Sequence, residues 1–125
     1  MYLDKGDYDA AIRNYERALE LKPDSVWVYN NLGLAYLNAG KLDDAERQLR
    51  KAVESDPKHA VAHNNLGVVL VRKGRLKEAM TEFGSALGLD ATYQKAAQNA
   101  ADTERLIERK ARLKAKATRR NDPPR

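Results

Sequence analysis

Residues 29–40 read Tyr29-Asn30-Asn31-Leu32-Gly33-Leu34-Ala35-Tyr36-Leu37-Asn38-Ala39-Gly40. Thirty-four positions later, residues 63–74 read His63-Asn64-Asn65-Leu66-Gly67-Val68-Val69-Leu70-Val71-Arg72-Lys73-Gly74. Both stretches hold Asn-Asn-Leu-Gly and a closing glycine at the same offsets. Self-similarity at a fixed spacing of this size marks an array of stacked units, each too small to bury its apolar face alone. The same shift aligns Gly6 with Gly40 and Gly74, Ala11 with Ala45 and Ala79, Ala18 with Ala52 and Ala86, and Pro23 with Pro57. Residues 26–59 and 60–93 share nine identities in 34, and residues 1–25 and 35–59 share nine in 25. The matches fall at small and turn residues, where backbone geometry is strictest, so they report a repeated shape.

Each unit reads as two helices. Tyr29, Leu32, Gly33 and Tyr36 share one face at i, i+3, i+4, i+7 spacing. Gly40 ends that helix, because glycine takes the left-handed cap conformation at little cost. The second helix begins near Leu42, with Leu42, Ala45, Leu49, Ala52 and Val53 as its buried line. Asp56-Pro57 stops it, since proline lacks an amide hydrogen and disfavours a helical residue before it. Gly33, Ala45 and Ala52 are small enough to let helices approach closely. From about Thr92 the register runs on into one long helix, with an apolar stripe of Tyr93, Ala96, Ala97, Ala100 and Ile107 that fades into charge. A stripe that fades in this way suits a capping helix, packed at its start and solvated at its end.

This pattern resembles the tetratricopeptide repeat family. The resemblance rests on Tyr29, Leu32-Gly33, Tyr36, Gly40, Leu42, Ala45, Leu49, Ala52 and Pro57 in one unit. In the next it rests on Leu66-Gly67, Leu70, Gly74, Leu76, Ala79, Phe83, Ala86 and Leu89. Residues 1–25 match the latter part of a unit through Tyr2, Gly6, Tyr8, Ala11, Tyr15, Ala18 and Pro23. It implies an all-α fold, a right-handed superhelix of antiparallel helix pairs. The expected organisation is a partial, truncated unit at 1–25, full units at 26–59 and 60–93, a capping helix at 94–117 and a disordered basic tail at 118–125. Two positions depart from the family pattern: His63 stands where a large aromatic is usual, and Ala91 replaces the closing proline, which predicts a softer last turn. In this frame the first helix would start about nine residues before Met1. The expectation is a fragment of a longer array or an end covered by a partner, with self-association through the open N-terminal end as the alternative.

The resemblance also implies where a ligand would sit. The first helix of each unit lines the concave surface, where Trp27, Asn30, Asn31, Leu34 and Asn38, then Val61, Asn64, Asn65, Val68 and Arg72, are not used for packing. The long helix continues the phase with Gln98 and Asn99. Asn31, Asn65 and Asn99 recur every 34 residues. An asparagine offers both a donor and an acceptor, so such a row can pair with a peptide backbone whatever its side chains. Similar ladders occur in the repeat region of the O-GlcNAc transferase family, which the two Asn-Asn-Leu-Gly segments resemble; ordinary solvated polar positions are the competing reading. Trp27 reads either as a groove anchor or as packing against the preceding helix. Leu34, Val61 and Val68 make the floor partly apolar. The basic residues with which similar domains clamp the C-terminal carboxylate of heat-shock chaperones are absent at Asn30, Asn31 and Asn65, so that ligand is not expected.

Composition narrows the alternatives. The chain has 125 residues, enough for about one domain, with 33% charged residues, seven glycines and no cysteine. Disulfides and thiolate chemistry are therefore excluded. There is no run of 18 apolar residues, and Met1 to Asp7 show no basic region followed by an apolar run, which leaves the compartment open with the cytoplasm as default. The net charge of +5 is local. Residues 105–125 hold nine Lys/Arg and two Asp/Glu, whereas residues 1–104 hold 14 and 16. Arg109, Lys110, Arg112, Lys114, Lys116, Arg119 and Arg120 form a candidate surface for nucleic acid or anionic membrane; it ranks below a protein partner because no aromatics interleave for base stacking. His59 and His63 stand four apart, a metal-like spacing, but no third ligand is near. The serines lack a histidine–acid pair, and the glycines cap helices. No catalytic residue, metal or cofactor is expected. The function that follows is a scaffold binding a protein or peptide segment, with the basic tail, or a substrate-recruiting region of a larger enzyme, as alternatives.

Overall fold

The computed structural model describes residues 5–121. Tyr2 and the end Asp122-Pro123-Pro124-Arg125, both read above, lie outside the described residues. Six helices follow in order: α1 Lys5–Leu21, α2 Val26–Asn38, α3 Leu42–Ser55, α4 Ala60–Arg72, α5 Leu76–Leu89 and α6 Gln94–Asn121. No strand occurs among the described residues. Thr118 to Asn121, expected in a disordered tail, are the last turn of α6 instead.

Gly40 and Gly74 close α2 and α4 at φ +79° and +80°. Around each, two carbonyls of the last turn are satisfied. Lys41 N–H donates to Tyr36 O and Gly40 N–H to Leu37 O, and Arg75 and Gly74 repeat the pair with Leu70 and Val71. This double bond is the Schellman end, which needs the left-handed residue that glycine supplies. The α3–α4 turn is held by Asp56, whose carboxylate accepts from Lys58 N–H and whose carbonyl accepts from His59 N–H. Asp90 repeats both bonds with Thr92 and Tyr93 and adds the Thr92 hydroxyl. The turn that lacks proline at Ala91 therefore keeps the same geometry through its aspartate.

The small residues act as expected. A Cβ on Gly33 would stand 2.5 Å from Leu49 Cγ, and one on Gly67 2.5 Å from Phe83 Cε1. Ala45, Leu49, Ala52, Ala79, Phe83 and Ala86 are fully buried. One core joins Leu37, Ala45, Leu49, Leu66, Val69, Leu70, Ala79 and Phe83 across α2 to α5; a second joins Ile12, Leu32 and Ala35 between α1 and α2. On α6, Ala96 and Thr103 are buried while Ala97, placed in the stripe by sequence, is exposed. Thr103 is tolerated there because its hydroxyl donates to Asn99 O at 2.7 Å.

The layering fixes the curvature. The backbone of α2 approaches α4 and that of α4 approaches α6, whereas α1, α3 and α5 do not approach one another. The even helices are thus the inner, closer layer of a right-handed superhelix of antiparallel pairs. On the outer side a charged network ties the units. Glu46 accepts from Arg50, Lys73 and Arg75, while Glu78 accepts from Arg75 and Arg50. Burial pushes the Glu46 carboxyl up, but the hydrogen bonds from Lys73 and Arg50 and the charges of Arg50 and Arg75 outweigh it and hold it at about 2.

Candidate functional site

The concave surface is built from three helices in register, α2, α4 and the first half of α6. Positions 34 residues apart form rows across it: Trp27, Val61 and Lys95; Asn31, Asn65 and Asn99; Leu34, Val68 and Asp102; Asn38, Arg72 and Leu106. Trp27, Leu34, Asn38, Val61 and Arg72 are exposed, and Asn31, Asn65, Val68 and Asn99 are half-buried. These nine are therefore at least partly accessible on the helices of the inner layer.

Asn30 and Asn64 are not. They were expected on the concave surface but are buried, at 4% and 3% exposure. The reason is a hydrogen bond between units. Asn65 Nδ2 donates to Asn30 Oδ1 at 2.9 Å, and Asn99 Nδ2 donates to Asn64 Oδ1 at 3.0 Å. A buried amide must be paired, and the asparagine at the Asn31 register of each following helix, Asn65 or Asn99, supplies the partner. The Tyr93 hydroxyl, pushed up by burial, is brought partly back by a hydrogen bond with the Asn64 side chain. The asparagine row therefore has two layers, an inner acceptor and an outer donor. One Nδ2 hydrogen of Asn65 and of Asn99 is committed to the fold, which fixes how each outer amide is turned.

Trp27 makes a contact that the sequence reading did not include. Its ring meets His59 edge-on, centroids 4.7 Å apart, so it packs towards the following unit, and it stays 62% exposed. His59 is itself held, its Nδ1 accepting from Ala62 N–H at 3.0 Å as the N-cap of α4. His63 spans from α4 to α5, with Nδ1 2.7 Å from Glu82 Oε2 and Nε2 2.7 Å from the Pro57 carbonyl. The two histidines are thus occupied in the fold, and no group of three metal-ligating side chains occurs among the described residues. Arg72 donates to Leu37 O at 3.4 Å, a partner at the end of α2.

Between α4 and α6 the surface opens into a cleft of about 210 Å³ lined by Val68, Val71, Arg72, Phe83, Asn99, Asp102, Thr103 and Leu106. Asp102, Thr103 and Leu106 were not among the residues picked from sequence. Leu106 was within reach, since it stands 34 positions after Arg72 and 68 after Asn38. The seven basic residues of the tail are all exposed, but they spread around α6: Lys110 and Lys114 line a cleft against Leu76 of α5, and Lys116 and Arg120 share another with Leu113.

Comparison with known proteins agrees with this geometry. Two family models match, one described as TPR repeat over residues 1–40 and one as Tetratricopeptide repeat over residues 30–102. No curated protein sequence matches the chain. Among solved structures, the crystal structure of MamA superposes with a TM-score of 0.77 at 28% identity, covering 86% of this chain and 67% of that one. The second TPR domain of human RPAP3, in complex with an HSP70 peptide, superposes with a TM-score of 0.75 at 25% identity, covering 79% and 82%. A mutant O-GlcNAc transferase of Thermobaculum terrenum gives 0.75 at 34% identity over 79% of this chain and 19% of that one. With repeat spacing, helix pairing and family models in agreement, the chain belongs to the tetratricopeptide repeat family.

Proposed function

We propose that this chain is a non-catalytic interaction module that binds an extended segment of another protein along the inner faces of α2, α4 and α6. The observation that supports it most is the pair of oriented amides. Asn65 and Asn99 are each pinned by one N–H to the preceding unit, yet each is only half-buried. Among the described residues neither Oδ1 has an intramolecular hydrogen bond. A fixed amide keeping an acceptor and a second donor pairs with a passing peptide backbone, with less ordering cost than a free side chain. Leu34, Val61 and Val68 on the same surface suit aliphatic side chains of the ligand. The HSP70 peptide bound to the RPAP3 domain supports a peptide ligand, although this chain has asparagines rather than lysine or arginine at positions 30, 31 and 65.

A groove this short corresponds to micromolar affinity, about −8 kcal/mol. The test uses a peptide selected from a random displayed library on the whole chain. Titration calorimetry of that peptide against Leu34→Ser with Val68→Ser, and against Asn31→Ala, should show affinity falling roughly tenfold for each. Unchanged affinity in both variants would exclude the groove as the binding surface.

A further inference from the structure

α6 has 28 residues, twice the length of the helices it caps. From Arg112 to Arg120 every side chain is exposed; Lys114 still borders Leu76 of α5, and the turns after it project past the α4–α5 pair. Its surface is sorted by helical phase. At 3.6 residues per turn, Leu106, Arg109, Lys110, Leu113, Lys114, Lys116, Ala117 and Arg120 fall within about 80° of Leu106. This face continues the concave surface, because Leu106 lines the cleft with Val68 and Arg72. Past Asp102, which accepts from Gln98 at 2.9 Å, it carries no acid. Glu104 and Glu108, the remaining carboxylates of the helix, fall on the opposite side.

Two large apolar side chains interrupt the positive charge. Leu106 is 39% exposed and Leu113 57%. They are seven residues apart, on one row of the helix. Leu113 shares a cleft of about 290 Å³ with Lys116, Ala117 and Arg120. A face of two leucines and an alanine bordered by bases is complementary to a helix carrying aliphatic residues at i and i+7 with carboxylates beside them.

We propose that the inner face of projecting α6 docks an acidic amphipathic helix of a partner protein. The partner's aliphatic side chains lie on Leu106 and Leu113, and its carboxylates meet Arg109, Lys116 and Arg120. Nucleic acid would use the bases but not the exposed leucines. A membrane would have to bury Arg109 and Arg120 along with them, which is costly in hydrocarbon. The docking face shares Leu106 with the groove and extends past it through Leu113, Lys116 and Arg120.

The test is fluorescence anisotropy with the whole chain and a labelled synthetic helix of leucines at heptad spacing on a glutamate-rich background. A scrambled peptide of equal composition, a single-stranded oligonucleotide and phosphatidylserine-containing vesicles are the other probes. The patterned peptide should bind at least about tenfold tighter than the scrambled one. Leu113→Ser and Arg109→Glu with Lys116→Glu should each weaken it about tenfold, while Leu34→Ser, at the far end of the concave surface, changes it less than about twofold. Circular dichroism of the variants, all at exposed positions, should match the parent. The inference is overturned if patterned and scrambled peptides bind alike, or if the oligonucleotide or vesicles bind more tightly. It is equally overturned if Leu113→Ser has no effect, or if Leu34→Ser weakens binding as much as Leu113→Ser.

Discussion

Asn65 of α4 donates its side-chain amide to the buried Oδ1 of Asn30 on α2 at 2.9 Å. One unit later, Asn99 of α6 does the same to Asn64 at 3.0 Å. The inner layer is therefore stitched by amide pairs that recur with the repeat, and each pair fixes one unit's angle on the next.

Breaking a stitch should cost more than its own bond. Asn64→Ala strands the Asn99 and Tyr93 groups that face it, and a stranded buried polar group costs roughly 1–3 kcal/mol. Urea unfolding should show that loss for Asn64→Ala. The double variant with Asn99→Ala should lose less than the sum of the two single losses, because neither amide is then left facing an absent partner. Strict additivity would mean that the two amides do not act as a pair.

The glycines divide into two kinds by the same measurement. Gly67 sits against the buried Phe83 ring, so Gly67→Ala overpacks the core by about 1–3 kcal/mol and Gly67→Asn is worse. Gly40 has open space around it but φ of +79°. Gly40→Ala should cost about 1 kcal/mol from the left-handed backbone alone, and Gly40→Asn less, since asparagine tolerates that region. Thermal denaturation should therefore rank alanine above asparagine at 67 and below it at 40. An identical ranking at both positions would refute the distinction. Ala45→Leu, at a site with no exposure, should behave like Gly67→Ala and cost about 1–3 kcal/mol.

Glu46 gives the array an acid-sensitive seam. Its carboxyl is held at about 2, below the 4.5 it has when unfolded. A depressed folded-state pKa contributes stability in full above about 4.5, and that contribution is lost as pH falls from there towards 2. Arg75 and Glu78 in the network are solvent-exposed and Arg50 is half-buried, so screening limits the effect, and Glu46→Gln should cost about 1 kcal/mol at neutral pH. Chemical denaturation across pH should show the gap between parent and variant closing between those two values. A gap that stays constant to pH 2 would show that the charge of Glu46 is not what holds the seam.

The fold was legible because the repeat puts glycine and alanine where helices touch, and no other residue fits those places. The asparagines were legible as a row but not as a pairing. Asn30 and Asn31 are neighbours in sequence and identical in chemistry, so nothing local shows that the first turns inward as acceptor and a later one serves as its donor. That distinction exists only once two units are stacked. Leu106 and Thr103 were missed for a different reason: they lie past the last unit read from sequence, and the family model itself ends at residue 102, although the register of Asn38 and Arg72 continues through α6. The helical end at Thr118 to Asn121 escaped because a basic composition resembles a disordered tail, whereas Ala, Lys and Arg are also strong helix formers.

The central claim is that the inner layer is the binding surface, and an amide chemical-shift map with the selected peptide tests it most directly. Side-chain amide signals of Asn31, Asn65 and Asn99 and backbone signals of Leu34, Val68 and Arg72 should move together on titration. Those of Arg47, Lys51 and Thr81, on the outer helices α3 and α5, should stay in place. Shifts concentrated on α3 and α5, with the three asparagine amides unmoved, would contradict the account.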